Sequence, residues 1–266
     1  MRLGLRRYLR LLLLFWKASI LVELEYRANF VARVLVSLVM VSVTILGTTV
    51  FFTQTDNIGG WNFNETLVIA GLFTLIGGII QTLLQPNVQK IIEMVRVGTL
   101  DFVLTKPVNS QFLASLRYSQ LFSTVDIAAG IVIIFVALGR IGYTPDTISL
   151  LKFCLMFIMA VLIVYSIWII MATTSFWFVK VGNLTELFNT VYDTGRFPVT
   201  TFQTVLRVLL TVVVPIAFIT TFPAQAVLGK LDDATLLGAV VMAALMFVFS
   251  AWFWRYAIGN YSSASS

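Results

Sequence analysis

The sequence predicts an all-α protein integral to a membrane, from its composition, the length of its apolar runs and the placement of its charges. Of the 266 residues, 59% are hydrophobic and 11% are charged, whereas soluble domains average about 45–50% and about 25%. Apolar runs of the length that crosses a bilayer as a helix recur along the chain. Because the basic residues cluster at the edges of these runs, we expect them to set topology rather than to bind nucleic acid.

Six runs are candidates for membrane-spanning helices, given that a span needs about 20 mostly apolar residues. They are Val34–Phe52, Leu67–Leu84, Ser119–Leu138, Phe153–Ala172, Val208–Phe222 and Thr235–Trp254. The fifth is short and contains Pro215, so it is the least regular. An even number of spans places both termini on one side. We expect a single transmembrane domain over residues 1–266.

The basic residues choose which side that is, because cytoplasmic flanks are enriched in Lys and Arg. One side would hold Arg2, Arg6, Arg7, Arg10, Lys17, Arg27, Arg33, Lys90, Arg96, Lys106, Arg117, Lys180, Arg196, Arg207 and Arg255. The other would hold Arg140, Lys152 and Lys230. The pattern predicts cytoplasmic termini in a plasma membrane, the inner membrane of a bacterium. It also makes Lys180–Gln203 a cytoplasmic connection, either a surface helix or a partner contact.

Residues 1–30 precede the first span, and their pattern predicts an amphipathic helix that lies in the membrane interface. Leu9, Leu12 and Trp16 fall on one narrow arc at about 100° per residue, with Arg6 and Arg10 on its flank. A basic leader that only sets topology is the alternative.

A polar segment at residues 87–117 interrupts the apolar chain after the second predicted span. Pro86 and Asn87 should end the span, after which apolar residues recur at helical spacing. Gly98 is well placed to end this short helix in a left-handed conformation. The pattern predicts a cytoplasmic helix with one apolar and one charged face; a plain polar loop is the alternative.

The sequence excludes several kinds of chemistry. It has no histidine, its single cysteine is Cys154, and no phosphate-binding Gly-x-x-x-x-Gly-Lys-Ser/Thr motif occurs. We therefore predict no catalytic site, no metal site and no cofactor bound by this chain. An intramembrane enzyme would need convergent His, Asp or Cys residues.

A few polar and small residues lie inside the predicted spans. Asp126 needs a partner there, and Gln81 or Gln85 is a plausible donor. Asp126 is equally well explained as a gate or substrate contact and as a polar link between helices. Small and hydroxylated residues, namely Ser42, Thr44, Thr48, Thr49, Gly71, Gly77 and Gly78, favour close helix packing. Pro223 starts either a re-entrant turn at Ala224–Leu228 or an interfacial helix.

Two segments resemble ABC-2 type transporter permeases. In "EMVRVGTLDFVLTKPVNSQFLAS", Glu93–Ser115, the family pattern after the second span is matched by Gly98, Thr99, Leu100, Asp101, Leu104 and Pro107. In "VVVPIAFITTFPAQAVLG", Val212–Gly229, the proline-containing fifth span and its small-residue continuation are similar. The resemblance covers nearly the whole chain and is nearest to uncharacterised permeases related to daunorubicin-resistance type exporters.

The resemblance implies a half-transporter without its own ATPase. Two permease subunits, identical or similar, would pair in the membrane lipids, and each would dock an ATP-binding subunit that holds ATP and Mg. Docking would use a coupling helix at about Asn87–Asp101, with Lys90, Glu93, Arg96, Gly98, Thr99, Leu100 and Asp101. Thr44, Gln81, Asp126, Pro215 and Pro223 are candidates for the translocation path or gate. An exported amphipathic lipid or glycan is expected; a secondary transporter and a membrane scaffold are the alternatives.

Overall fold

The computed structural model describes residues 5–25, 27–178 and 182–261. This part of the chain is helical almost throughout. Its α-helices are α1 (Leu5–Glu25), α2 (Arg27–Phe52), α3 (Phe63–Ile79), α4 (Gln85–Val97), α5 (Asp101–Leu104), α6 (Ser110–Leu116), α7 (Thr124–Ile141), α8 (Thr147–Thr174), α9 (Gly182–Asp193), α10 (Thr204–Val208), α11 (Ile216–Ile219), α12 (Thr221–Val227) and α13 (Asp233–Gly259).

Within the described residues, five helical stretches are long and apolar enough to cross a bilayer, which confirms the all-α integral membrane fold. They are Ala28–Phe52, Phe63–Val97, Leu121–Ile141, Thr147–Thr174 and Asp233–Gly259. We call the end of the bundle where α2 begins and α13 ends the terminal face. The other end, with loops 53–62, 142–146 and 228–232, is the opposite face.

Ion pairs join helix ends on the opposite face. Lys230 lies 2.6 Å from the carboxylate of Glu65 at the start of α3. Lys152 of α8 lies 2.6 Å from Asp233 at the start of α13. These contacts fix α3, α8 and α13 at a common level.

The core of the bundle is built around α3, which packs most extensively on α7. Ile69, Leu72 and Ile76 of α3 are buried. The two helices approach closely at glycines: a Cβ on Gly78 would lie 2.7 Å from the Ile127 nitrogen, and one on Gly130 would lie 2.5 Å from the Leu75 nitrogen. Close packing of this kind is the role that small residues usually have in membrane helices.

The second span does not end at Pro86, contrary to the prediction. α3 continues through a π-helical turn at Ile80–Leu84 into α4, giving one helical stretch of 35 residues. Proline has no N–H to donate to the carbonyl four residues earlier, and that carbonyl, of Thr82, instead accepts the Gln120 N–H at 2.9 Å. Proline is thus accommodated inside the helix because the link after α6 replaces the missing donor.

Asn87 and Gly98 shape the terminal-face end of this long helix. The buried Asn87 amide donates to the Leu83 and Tyr118 carbonyls and accepts the Tyr118 N–H. The helix then ends at Gly98, whose φ of 76° is left-handed, as predicted. The start of the polar segment after span two is therefore attached to the bundle by the hydrogen bonds of Asn87.

Residues 182–201 cross the bundle, so the prediction of a cytoplasmic connection at Lys180–Gln203 is wrong. On α9, Tyr192 donates to the Phe73 carbonyl of α3 at 2.7 Å. Farther along, the Phe197 ring packs on Phe51 with centroids 4.9 Å apart, and Thr200 donates to Gly59 on the opposite face at 2.6 Å.

This segment is a fifth pass built from a 12-residue helix and two 3-10 turns. Arg196, at its middle, and Arg207, which donates to the Thr200 carbonyl, accordingly do not lie on the terminal face. The sequence-based assignment of Arg196 and Arg207 to the same side as the termini is therefore wrong.

The predicted fifth span, Val208–Phe222, is also corrected. It belongs to two helical pieces, Thr204–Val213 and Ile216–Val227, that meet at a 66° bend. Pro215 stands at the bend, where Val214 is extended and no N–H is available from the proline ring. The pair starts beside Thr200 and ends at Gly229, so both of its ends lie at the opposite face. The pair therefore re-enters the bundle instead of crossing it. With residues 182–201 as a pass, the described chain still has six passes in all.

α1 is a helix, as predicted, and it lies against the terminal face. Its Glu23 carboxylate accepts the Leu121 and Phe122 N–H groups at 2.6 and 3.2 Å. Tyr8 packs edge-on against Phe112 of α6. Leu13 and Leu21 are exposed, as an interfacial helix requires.

Candidate functional site

A cavity of about 300 Å³ with both polar and apolar lining residues lies between α2, the long α3–α4 helix and the fifth pass. Its lining includes Arg33, Ser37, Thr44, Thr74, Gly77, Gln81, Gln85, Asp126, Asn189, Tyr192, Asp193 and Arg196. The predicted path residues Thr44, Gln81 and Asp126 are thus brought together on one cavity. Pro215 and Pro223 are not among its lining residues: Pro215 lies at the bend of the re-entrant pair and Pro223 is buried in α12.

An ion pair closes one wall of the cavity. Arg33 of α2 lies 2.7 Å from the Asp126 carboxylate of α7 and also donates to the Gln81 amide oxygen on the π-helical turn between α3 and α4. The partner of Asp126 is therefore Arg33, with Gln81 joined to it through the guanidinium. Pairing lowers the cost of holding a carboxylate inside an apolar bundle. The three residues tie together the helices that form spans one, two and three.

A second ion pair lies on the fifth pass. Arg196 contacts Asp193 at 3.0 Å, and its guanidinium lies 5.0 Å from the centre of the Phe73 ring. Asn189, Tyr192, Asp193 and Arg196 of this pass line the cavity, so its charged pair is sheltered inside the bundle. Charged side chains and non-helical backbone at membrane depth are tolerated against protein or a water-lined cavity.

Three donors on the cavity wall lack a partner within the described residues. They are the Ser37 hydroxyl and the Nε atoms of Arg33 and Arg196, all shielded from solvent. A buried donor without an acceptor costs about 1–3 kcal/mol. No described residue uses the hydrogen-bonding capacity of these three donors.

A second feature lies on the terminal face, where two large apolar side chains are exposed beside charged ones. Val97 is 59% exposed and Phe102 is 72% exposed. Lys90 and Glu93 form an ion pair at 2.7 Å on the same helix, and Arg96 is exposed. We call these five residues the terminal patch.

The other predicted docking residues shape this patch. Leu100 is fully buried, so its side chain holds the turn in place rather than forming surface. Gly98 and Thr99 complete the helix end, with the Thr99 N–H donating to the Met94 carbonyl, and Asp101 begins α5. Val97 and Phe102, which the sequence analysis did not select, supply the exposed apolar part.

A family model described as ABC-2 family transporter protein matches residues 38–265. The chain belongs to this family. The resemblance seen in the sequence is confirmed at the family level, while the likeness to daunorubicin-type permeases stays a prediction. No curated protein and no solved structure matches this ABC-2 permease.

As an ABC-2 permease, the chain is a multi-pass membrane protein and the membrane component of an ABC transporter. Family membership implies partnership with an ABC ATP-binding subunit. Within residues 5–25, 27–178 and 182–261, no group of three or more His, Cys, Asp or Glu side chains could hold a metal ion.

The cavity of this ABC-2 permease contains residues that sequence reasoning missed. Arg33 was assigned to the basic flank of span one, and Ser37 was not singled out. Asp193 and Arg196 were placed in a loop. Their spacing of three residues, followed by aromatic Phe197, was the available signal of a charged pair on a helical segment.

Proposed function

We propose that this chain is the permease subunit of an ATP-driven exporter for an amphipathic substrate, lipid-like or glycan. It works as one of two permease subunits, with two copies of a separate ATP-binding subunit on the terminal face. That face is the cytoplasmic side of a bacterial inner membrane. The cavity between α2, α3 and the fifth pass, with its two ion pairs among apolar side chains, is the observation that supports this proposal most directly.

The cavity suits a substrate with a polar group. Its two guanidinium groups each have an unpaired Nε and are opposed by Asp126 and Asp193. A headgroup or sugar with acceptor oxygens would satisfy these donors, while an apolar chain would meet the exposed side chains of α2. Among these, Leu46 and Val50 have no covering partner in the described chain, which supports a second permease subunit there.

The long α3–α4 helix supplies a mechanical link between partner and cavity. Val97 lies at its terminal end, and Gln81 lies on its π-helical turn beside Arg33. π-helical turns are frequent at functional sites. When ATP closes the partner subunits, displacement of the terminal patch moves α4. The motion reaches Gln81 and opens or closes the Arg33–Asp126 pair.

A secondary transporter is the main rival, because a charged pair inside a bundle can couple substrate movement to ions. The terminal patch favours the ATP-driven exporter. A secondary transporter has no need for large exposed apolar side chains, such as Val97 and Phe102, beside charged ones on the terminal face. A scaffold would likewise have no need for a cavity that contains two ion pairs.

The experiment is capture of the ATP-binding subunit from native membranes by the tagged permease. Wild type is compared with Val97→Ser/Phe102→Ser, in which the patch loses its two exposed apolar side chains. The matched control is Ile148→Ser, an equally exposed apolar residue at 64% on the opposite face. We expect captured ATPase activity to fall at least about tenfold in the double variant, because the few apolar side chains that anchor an interface cost about 2 kcal/mol or more when they are removed. The control should keep it.

Two results would count against the proposal. If wild type captures no ATPase, the secondary-transporter or scaffold function replaces the exporter. If the double variant captures as much ATPase as wild type, docking through the terminal patch is wrong.

A further inference from the structure

A second cavity, of about 670 Å³, lies at the terminal face between α1, the start of α2 and the link 117–123. Phe15 and Val22 of α1 and Phe122 of the link give it apolar walls. It borders the apolar surface of α1, where Leu21 is exposed. A molecule in this cavity would therefore be in contact with the membrane interface.

Polar groups in the cavity are left without partners. Ser119 is only 9% exposed, and its hydroxyl has no hydrogen-bond partner within the described chain. Arg117 also lines the cavity; its guanidinium lies 5.3 Å from the centre of the Tyr118 ring and has no carboxylate within ion-pairing distance among the described residues. Arg33 contributes its unpaired Nε where the two cavities meet.

The one carboxylate on this cavity, Glu23, is already engaged. Both of its oxygens accept backbone N–H groups, from Leu121 and Phe122. Burial raises the pKa of Glu23, partly offset by these two hydrogen bonds. Because both Glu23 oxygens already accept backbone N–H groups, and Arg33 is paired with Asp126, Arg117 is the cavity's guanidinium without a carboxylate partner among the described residues.

We propose that this cavity holds the phosphate headgroup of an acidic phospholipid from the terminal-face leaflet. Arg117 pairs with the phosphate, Ser119 donates its hydroxyl, and the acyl chains leave past Phe15 and Val22 along α1. Guanidinium groups suit phosphate because they donate two parallel hydrogen bonds. The apolar walls and the position at the interface favour a lipid over free phosphate. The site goes beyond the proposed transport function and does not depend on an ATP-binding subunit.

The test uses the purified full-length chain in detergent and measures retained lipid by native mass spectrometry. Phosphatidylglycerol, phosphatidylcholine with the same acyl chains, and inorganic phosphate are titrated separately. The variants are Arg117→Gln and Ser119→Ala; the second only removes a buried hydroxyl without a partner, so it should fold. Arg10→Gln, an exposed base of α1 outside the cavity, is the matched charge control.

We expect phosphatidylglycerol to bind more tightly than phosphatidylcholine. Its affinity should fall at least about tenfold in Arg117→Gln, because a hydrogen bond to a charged group is lost, and measurably in Ser119→Ala. Arg10→Gln should bind as wild type does. Equal binding of the two lipids, or equal losses in Arg117→Gln and Arg10→Gln, would overturn the site. Binding of inorganic phosphate alone with the same dependence on Arg117 would overturn the assignment to lipid.

Discussion

At the scale of single residues, glycine positions decide how closely the helices of this permease approach. An added Cβ at Gly130 would lie 2.6 Å from the Gly71 carbonyl oxygen and 2.7 Å from the Leu75 Cα. These are backbone atoms, which cannot rotate away as the end of a flexible side chain can. By contrast, Gly139 in the same helix has no atom within 4 Å of an added Cβ. Glycine is therefore required by packing at one position and not at the other.

We expect Gly130→Ala to destabilise the protein by about 1–3 kcal/mol, because the extra methyl group overpacks the contact between α3 and α7. Gly139→Ala is the matched control and should be neutral or slightly stabilising, since alanine is the better helix former. Thermal unfolding in detergent measures both. Equal melting temperatures for the two variants would mean that α3 and α7 do not approach as closely as described.

At the scale of elements, the helices on the opposite face begin with side-chain caps. Asn62 and Glu65 form a reciprocal capping box at the start of α3. Asp146 caps α8 and Asp232 caps α13. Hydrogen bonds from Ser149 and Thr235, respectively, lower the pKa of these two aspartates below the ordinary value. These caps fix where the long helices start.

The lowered pKa values predict an acid-sensitive contribution to stability. An aspartate whose pKa is lowered by folding stabilises the native state above its unfolded pKa of about 3.9. That contribution is lost as the pH falls through the lower folded pKa. In Asp146→Asn/Asp232→Asn the caps remain but the charges are gone, so the melting temperature should fall less between pH 5 and pH 2. Asp56→Asn, in a loop on the same face, should follow wild type; an unchanged slope in the double variant would rule this contribution out.

At the scale of the whole molecule, the path of residues 182–227 defines the topology. One polar segment crosses the bundle and one apolar pair re-enters it, whereas the distribution of hydrophobicity suggested the reverse. The crossing segment lines the cavity with Asn189, Asp193 and Arg196. The apolar pair exposes Val205 and Val213 at the surface of the bundle. The proposed transport path and the topology thus depend on the same segment.

Cysteine labelling tests this topology. In a Cys154→Ser background, which removes the exposed native thiol, Thr201→Cys should react with a membrane-impermeant maleimide from the same side as Asn57→Cys. Lys106→Cys, on the terminal face, should react from the other side. If Thr201→Cys instead follows Lys106→Cys, residues 182–201 do not cross the bundle.

The sequence by itself determined the membrane class, the family, five of the six passes and the helix end at Gly98. These features depend on local composition and on backbone preferences, which the sequence carries directly. Only the tertiary structure decided that Arg33 pairs with Asp126, that Pro86 lies inside a continuous helix and that residues 182–201 form the fifth pass. Each of these depends on a distant group: a carboxylate on α7, the Gln120 N–H, or a cavity that shelters charges. Hydrophobicity along the chain shows whether a segment suits lipid. It does not show that neighbouring helices can shelter a polar segment at a cavity and so allow it to cross the membrane.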